Sequence, residues 1–188
     1  MFNFNKKEMV GFICILLFTA IATYLNILVS YRNERDVLRN LNISQIAQAV
    51  EKYNSEYGVY PLSTDDGKIL ACKGEETGIL TDENNLPQKN PDAKKYLVSG
   101  YVPCQWGKDA LQDVTDLSYP KYIDVLPEDP QTKSGVNYVY ISDGKSYKIL
   151  ASYEGRTLSD YSQKVANMKV FCGIRMCNVG RRTGVINL

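Results

Sequence analysis

Four cysteines, Cys72, Cys104, Cys172 and Cys177, are the side chains best equipped for covalent chemistry in this 188-residue chain. An even number of thiols beyond an apolar N-terminal stretch implies two disulfides in an oxidising compartment. Three connectivities are open, and Cys72–Cys104 with Cys172–Cys177 is the most local. A four-thiolate zinc site is the rival arrangement, but neither pair has the C-x-x-C spacing usual in zinc ribbons. The fifth cysteine, Cys14, sits inside the apolar stretch, where a thiol acts as a small apolar group.

Histidine is absent. That removes the commonest general base, the Ser-His-Asp and Cys-His devices and the most frequent zinc ligand. No nucleophile–base pair or glycine-rich phosphate loop stands out, and Gly144-Lys145-Ser146 fits a hairpin turn, not a P-loop. The chain is therefore read as a non-enzyme. The acidic residues Asp65, Asp66, Glu75, Glu76, Asp82 and Glu83 raise calcium, but their spacing matches no EF-hand loop and suits a solvated acidic surface. No cofactor is assigned, and a structural calcium cannot be located. After Asp160 the chain carries Lys164, Lys169, Arg175, Arg181 and Arg182 and no acid. Arg175, Arg181 and Arg182 are candidate polyanion contacts, DNA included. The commoner role of such residues is solvated surface, or pairing with acidic groups of the same or a neighbouring chain. A net charge of +1 over the whole chain requires no polyanionic partner.

These residues must be positioned by elements, and the first is a helix. Val10 to Tyr31 contains no charged residue and is long enough to cross a ~30 Å hydrocarbon layer, which takes about 20 residues. Lys6 and Lys7 precede it, while Arg32 and Arg35 are mixed with Glu34 and Asp36 after it. The positive-inside bias puts the N-terminus in the cytoplasm and the C-terminal region outside. The run exceeds a signal-peptide h-region, and no A-x-A site follows, so a retained anchor is expected. Apolar residues then recur at helical spacing through Ile43, Ile46, Ala47, Val50, Tyr53 and Tyr57, until Gly58 and Tyr60-Pro61 end the helix. One helix from Val10 to Tyr57, ~70 Å long, is predicted. Alternating Arg32, Glu34, Arg35, Asp36 and Arg39 read as its solvated face.

Leu62 to Asp116 is rich in turn formers, with a short helix or strand expected near Ala93–Cys104. Tyr122 to Gln131 is a Pro-punctuated crossing segment. The clearest β signal is the run from Asn137 to Tyr153 around Asp143-Gly144, a type I′ hairpin dipeptide. That turn pairs Ile141 with Ser146, Tyr140 with Tyr147, and Tyr138 with Ile149. Tyr138, Tyr140, Tyr147 and Ile149 then share an apolar face suited to the helix stripe, while Val139 and Ile141 lie on a partly wet face beside Ser146 and Lys148. Lys169 to Ile186 reads as a strand, a small Cys172–Cys177 loop and a further strand or tail. The fold class is α+β: a long N-terminal helix, apolar and then amphipathic, packed on a small antiparallel sheet.

The segment from Arg35 to Pro61 resembles the stalk-to-domain helix of the type IV pilin superfamily, especially the major-pseudopilin-like proteins of type II secretion. Arg35, Asp36, Gln45, Ile46, Ala49, Val50, Glu51, Tyr53, Gly58, Tyr60 and Pro61 fill the family's places. Tyr122 to Gln131 and the hairpin after it are similar to that family's LP-x-DP segment and C-terminal strands. The resemblance implies a pilin-like fold and a prepilin-type processing and methylation motif, with Lys6, Lys7, Gly11 and Phe12 as leader and cleavage site for a prepilin peptidase. The fifth residue after that cut is Leu16, where the family has the Glu that neutralises a neighbour's new amine; Glu8 would leave with the leader. This departure fits a minor or initiating pseudopilin, or an uncleaved relative.

The resemblance divides the chain into a cytoplasmic leader (1–11), a transmembrane or filament-core helix (12–31) and an extracytoplasmic domain (32–188). That domain comprises helix (32–57), a variable loop region (62–120), and β region with tail (121–188). The expected function is a structural subunit of a pilus or pseudopilus filament, first held in the inner membrane and then displayed in the periplasm or at the cell surface. Its partners are further copies of itself and other pilins. Phe12, Leu16, Val29, Arg32, Glu34, Arg35 and Asp36 form the expected assembly helix. The alternative is a membrane-anchored binding module for DNA or a surface, which does not polymerise.

Overall fold

The computed structural model describes residues 5–91, 93–155 and 161–183; the first four residues of the expected leader and the end of the expected tail, after 183, lie outside them. A single helix, α1 (Lys6–Tyr57), runs for 52 residues, ~78 Å at 1.5 Å per residue. It begins four residues before the predicted Val10. Glu8 is the reason: its carboxylate accepts the Asn5 backbone N–H at 2.8 Å, satisfying a group at the helix start. It ends at Gly58, whose N–H donates to the Asn54 carbonyl at 2.8 Å. Gly58 has φ +70°, and a Cβ there would lie 3.0 Å from Asn90 Nδ2. Conformation and space therefore both require glycine at this exit.

The sheets are small and all antiparallel. β1 (Leu62–Ser63), β2 (Ile69–Cys72) and β5 (Val102–Pro103) form one in the order β1-β2-β5. β6 (Val139–Ser142), β7 (Tyr147–Ala151) and β10 (Val179–Arg182) form the other, in the order β10-β7-β6. Two ribbons complete the set: β3 (Gly78–Ile79) with β4 (Val98–Ser99), and β8 (Phe171–Cys172) with β9 (Arg175–Met176). A short helix α2 (Gln163–Asn167) precedes β8, with the Ser162 side chain capping it through the Val165 N–H. The protein is thus α+β, one long N-terminal helix packed on small antiparallel sheets.

The hairpin register differs from the predicted one. Tyr140 pairs with Ile149, Ile141 with Lys148 and Ser142 with Tyr147, so residues 143–146 form the connection. Asp143 causes the change. Its carboxylate accepts the Lys145 and Ser146 N–H groups at 2.9 and 2.8 Å, closing a longer side-chain-bonded turn. The slip is two residues, so every side chain keeps its face. Tyr138, Tyr140, Tyr147 and Ile149 are all buried, as the alternation requires. The opposite face is less wet than expected at one end, since Leu150 is fully buried with Val165, Cys172 and Cys177.

The main core joins the α1 stripe (Ile43, Ile46, Val50, Tyr53, Tyr57) to Tyr138, Tyr140, Tyr147 and Ile149. Tyr53 and Tyr57 stack with centroids 4.4 Å apart, and Tyr60 meets Tyr147 at 4.9 Å. Three of the core hydroxyls are paired: Tyr57 donates to Asp113, Tyr140 to the Pro61 carbonyl and Tyr60 to Glu51, at 2.8, 2.8 and 2.9 Å. Burial raises all three phenol pKa values.

Two disulfides are present, Cys72–Cys104 and Cys172–Cys177, with sequence separations of 32 and 5. On the loop-entropy relation these stabilise by about 3.7 and 2 kcal/mol respectively. Replacing Cys72 and Cys104 by Ala should therefore lower the urea midpoint more than replacing Cys172 and Cys177. The opposite order would show that the short ribbon closure dominates.

Candidate functional site

The site is the helix itself, in two halves with opposite environments. In the first, side chains from Met9 to Tyr31 project outward: Phe12, Leu16 and Val29 are exposed, and Gly11 has open space around it. No residue in its most apolar window is buried, and the mean hydropathy there is 2.4. Three of its polar side chains turn inward onto the helix. Thr19, Thr23 and Asn26 donate to the carbonyls of Leu16, Thr19 and Ala22 at 2.9, 2.8 and 2.8 Å. A segment built in this way leaves few hydrogen-bonding needs unmet in an apolar medium. By length and composition this half can cross a membrane.

The second half locks onto the domain through charge. Asp36 and Arg39 are fully buried, which corrects the expected solvated face. The Arg39 guanidinium donates through Nε and Nη2 to both oxygens of Asp129 at 2.8 and 3.0 Å. It also donates to Asp36, Glu154 and Gln131 at 2.7, 3.0 and 2.9 Å. Asp36 in turn accepts the backbone N–H groups of Glu154 and Gly155 at 2.9 and 2.8 Å. Arg35 clasps Glu154 with two bonds of 2.6 and 2.7 Å. The forked geometry of arginine suits such paired carboxylate contacts. Arg32 is half-buried and Glu34 exposed, so the four charged residues of the expected assembly helix separate into Arg35 and Asp36, engaged by the domain, and Arg32 and Glu34, outside this junction.

Burial alone would lower the Arg39 pKa, but the hydrogen bond and charge of Asp129 outweigh it and the net shift is upward. The Arg35 hydrogen bond, aided by Arg39, holds the Glu154 carboxyl down at about 2. Asp113, at the other end of the α1 stripe, is pushed up by burial. It is nonetheless held at about 2 by hydrogen bonds from Lys95, Thr115 and Tyr57. Both carboxyls are depressed relative to the unfolded chain. Their stabilisation is complete above the ordinary carboxylate range and is lost as pH falls toward ~2. The thermal midpoint should stay flat down to about pH 5 and then drop. In Glu154→Gln that drop should be shallower; an unchanged slope would contradict the assignment.

The remaining candidates are dispersed. Arg175 Nη1 lies 3.9 Å from Glu154, Arg181 donates to Asn40 at 2.7 Å, and Arg182 is exposed. Two of the three arginines therefore make contacts within the protein. Asp66 pairs with Lys68 at 2.7 Å, and Glu75, Glu76 and Glu83 are exposed. Among the described residues no group of three or more His, Cys, Asp or Glu side chains is arranged to hold a metal ion.

Arg39, Asp129 and Glu154 were not among the expected site residues, although one signal pointed to two groups of this junction. Asp36, Arg39, Ile43 and Ile46 follow one another at intervals of three or four, so Asp36 and Arg39 continue the buried stripe. Scans against protein-family models, curated proteins and solved structures returned no match.

Proposed function

We propose that this protein is a structural subunit of a type IV pilus-like or type II secretion pseudopilus filament, assembled through α1 and held in the inner membrane beforehand. The observation that carries this reading is the division of one continuous helix. Its first half exposes apolar side chains throughout, and its second half is clamped to the domain at Arg39. An apolar helix drawn from lipid can exchange lipid contacts for neighbouring helices in a filament core. A clamp of buried charges then makes the domain follow the helix as one body. Val37, Leu38 and Leu41 extend the exposed apolar surface beyond Tyr31 and give a neighbouring subunit more to pack against. The pilin-like pattern from Arg35 to Pro61 supports the same reading.

N-terminal sequencing of the chain from membranes and from sheared filaments tests it. A start at Phe12 in the filament fraction is expected, because the Gly11–Phe12 bond is the candidate cleavage site. A chain found only in membranes, and starting at Met1, would show a static anchor instead.

A further inference from the structure

The β8–β9 ribbon has no role in the assembly reading, yet it carries conspicuous exposed apolar groups. Phe171 and Met176 pair across it, and Ile174 at its tip is 70% exposed. The ribbon is held firmly. Cys172 and Cys177 are bonded and buried, and the Ile174 N–H donates to the Gly135 carbonyl at 2.9 Å. Gly173, at φ +72°, packs so closely on Gly135 that a Cβ would strike its carbonyl. An exposed apolar tip on so rigid a mount suggests a surface that it meets.

Its place in the fold identifies that surface. Arg175 lies beside Glu154, and Glu154 is bonded to Arg35. Arg35 follows Tyr31, the end of the uncharged run, by four residues, or about 6 Å of helix rise. The headgroup layer of one leaflet is about 5–8 Å deep. When the first half of α1 spans a bilayer, Arg35 lies at headgroup level, and Arg175, the residue after the ribbon tip, reaches toward it through Glu154. The cations around these contacts are Arg32 on the helix, Arg175 on the ribbon, and exposed Lys133 and Lys169, with Glu34 as an exposed acid on the helix. Lys133 lies two residues before Gly135, whose carbonyl accepts the Ile174 N–H, and Lys169 two residues before Phe171. Each cation near an anionic bilayer favours the bound state by about fivefold.

We infer that this ribbon is a second membrane contact: Ile174 enters the interface of the anionic bilayer that holds α1, and Arg175 and Lys133 meet lipid phosphates. The inference rests on α1 lying in a membrane, so its test reports on both. The full chain, with Trp106→Phe, is placed in phosphatidylglycerol vesicles carrying brominated acyl chains. Ile174→Trp reports on the tip and Leu25→Trp on the helix. Both tryptophans should be quenched. At position 174 alone, quenching should fall several-fold in high salt, in zwitterionic vesicles, and when Lys133→Glu and Arg175→Gln are added. Phe171→Trp, at another exposed ribbon position, gives a second reporter should Ile174→Trp disturb the tip. Quenching at 25 with none at 174 or 171 overturns the inference and leaves the membrane reading intact. No quenching at 25 overturns both.

Discussion

Arg39→Met lowers the unfolding free energy by about 3–5 kcal/mol, the cost of leaving buried carboxylates without their counter-ion. The side chain is fully buried and bonds to Asp36, Asp129, Glu154 and Gln131. Its removal strands Asp36 and Asp129, each also fully excluded from water at the side chain. Met fills part of the volume but donates nothing. Arg35→Met is the matched control. Arg35 is 31% exposed at the side chain, and its loss should cost only about 1 kcal/mol because water replaces much of what Glu154 loses. Urea titration of the detergent-solubilised full chain, followed by circular dichroism, reads both. Arg39→Met with Asp129→Leu should recover part of the loss, because one stranded charge is removed with its partner. Equal midpoints for Arg39→Met and Arg35→Met would show that the junction does not hold helix to domain.

Val29→Asp is the second large effect, and it separates assembly from folding. Val29 is exposed on the apolar half and precedes the first buried residue of the junction, Asp36, by two helical turns. A carboxylate there meets no domain group, so the thermal midpoint of the domain should match that of the parent. Two residues from the end of the uncharged run, the charge costs less in a bilayer than the about 2.5–3.5 kcal/mol of a mid-span carboxylate. Packed against neighbouring helices in a filament it cannot reach water so easily, and the cost recurs in every subunit. Filaments in the sheared surface fraction should disappear while the chain still accumulates in cells. Filaments of normal length and number would refute assembly through this helix.

How much of this was legible in the sequence varies with the kind of interaction. The uncharged run to Tyr31 and the stripe from Ile43 to Tyr57 are periodic signals, and the helix follows them. Strand alternation placed Tyr138, Tyr140, Tyr147 and Ile149 on one buried face, and a slip of two residues could not undo that. The register itself depended on Asp143 bonding to the backbone, a side-chain choice that the Asp-Gly dipeptide does not disclose. The ionic junction was harder to see. Asp129 and Glu154 are distant in sequence from Arg39 and reach it only once β7 and β10 lie along the helix. A mixed-charge run such as Arg32 to Arg39 looks solvated unless its phase against the apolar stripe is followed. The level of the β8–β9 ribbon relative to α1 likewise emerges only from the contact of Arg175 with Glu154.

Electron cryo-microscopy of sheared filaments tests the central claim most directly. The account predicts filaments built of this chain, with residues 12–31 bundled in the core and the domain outside, still joined to α1 through Arg39 and Asp129. Filaments that lack the chain, or a core formed by anything other than this helix, would contradict it.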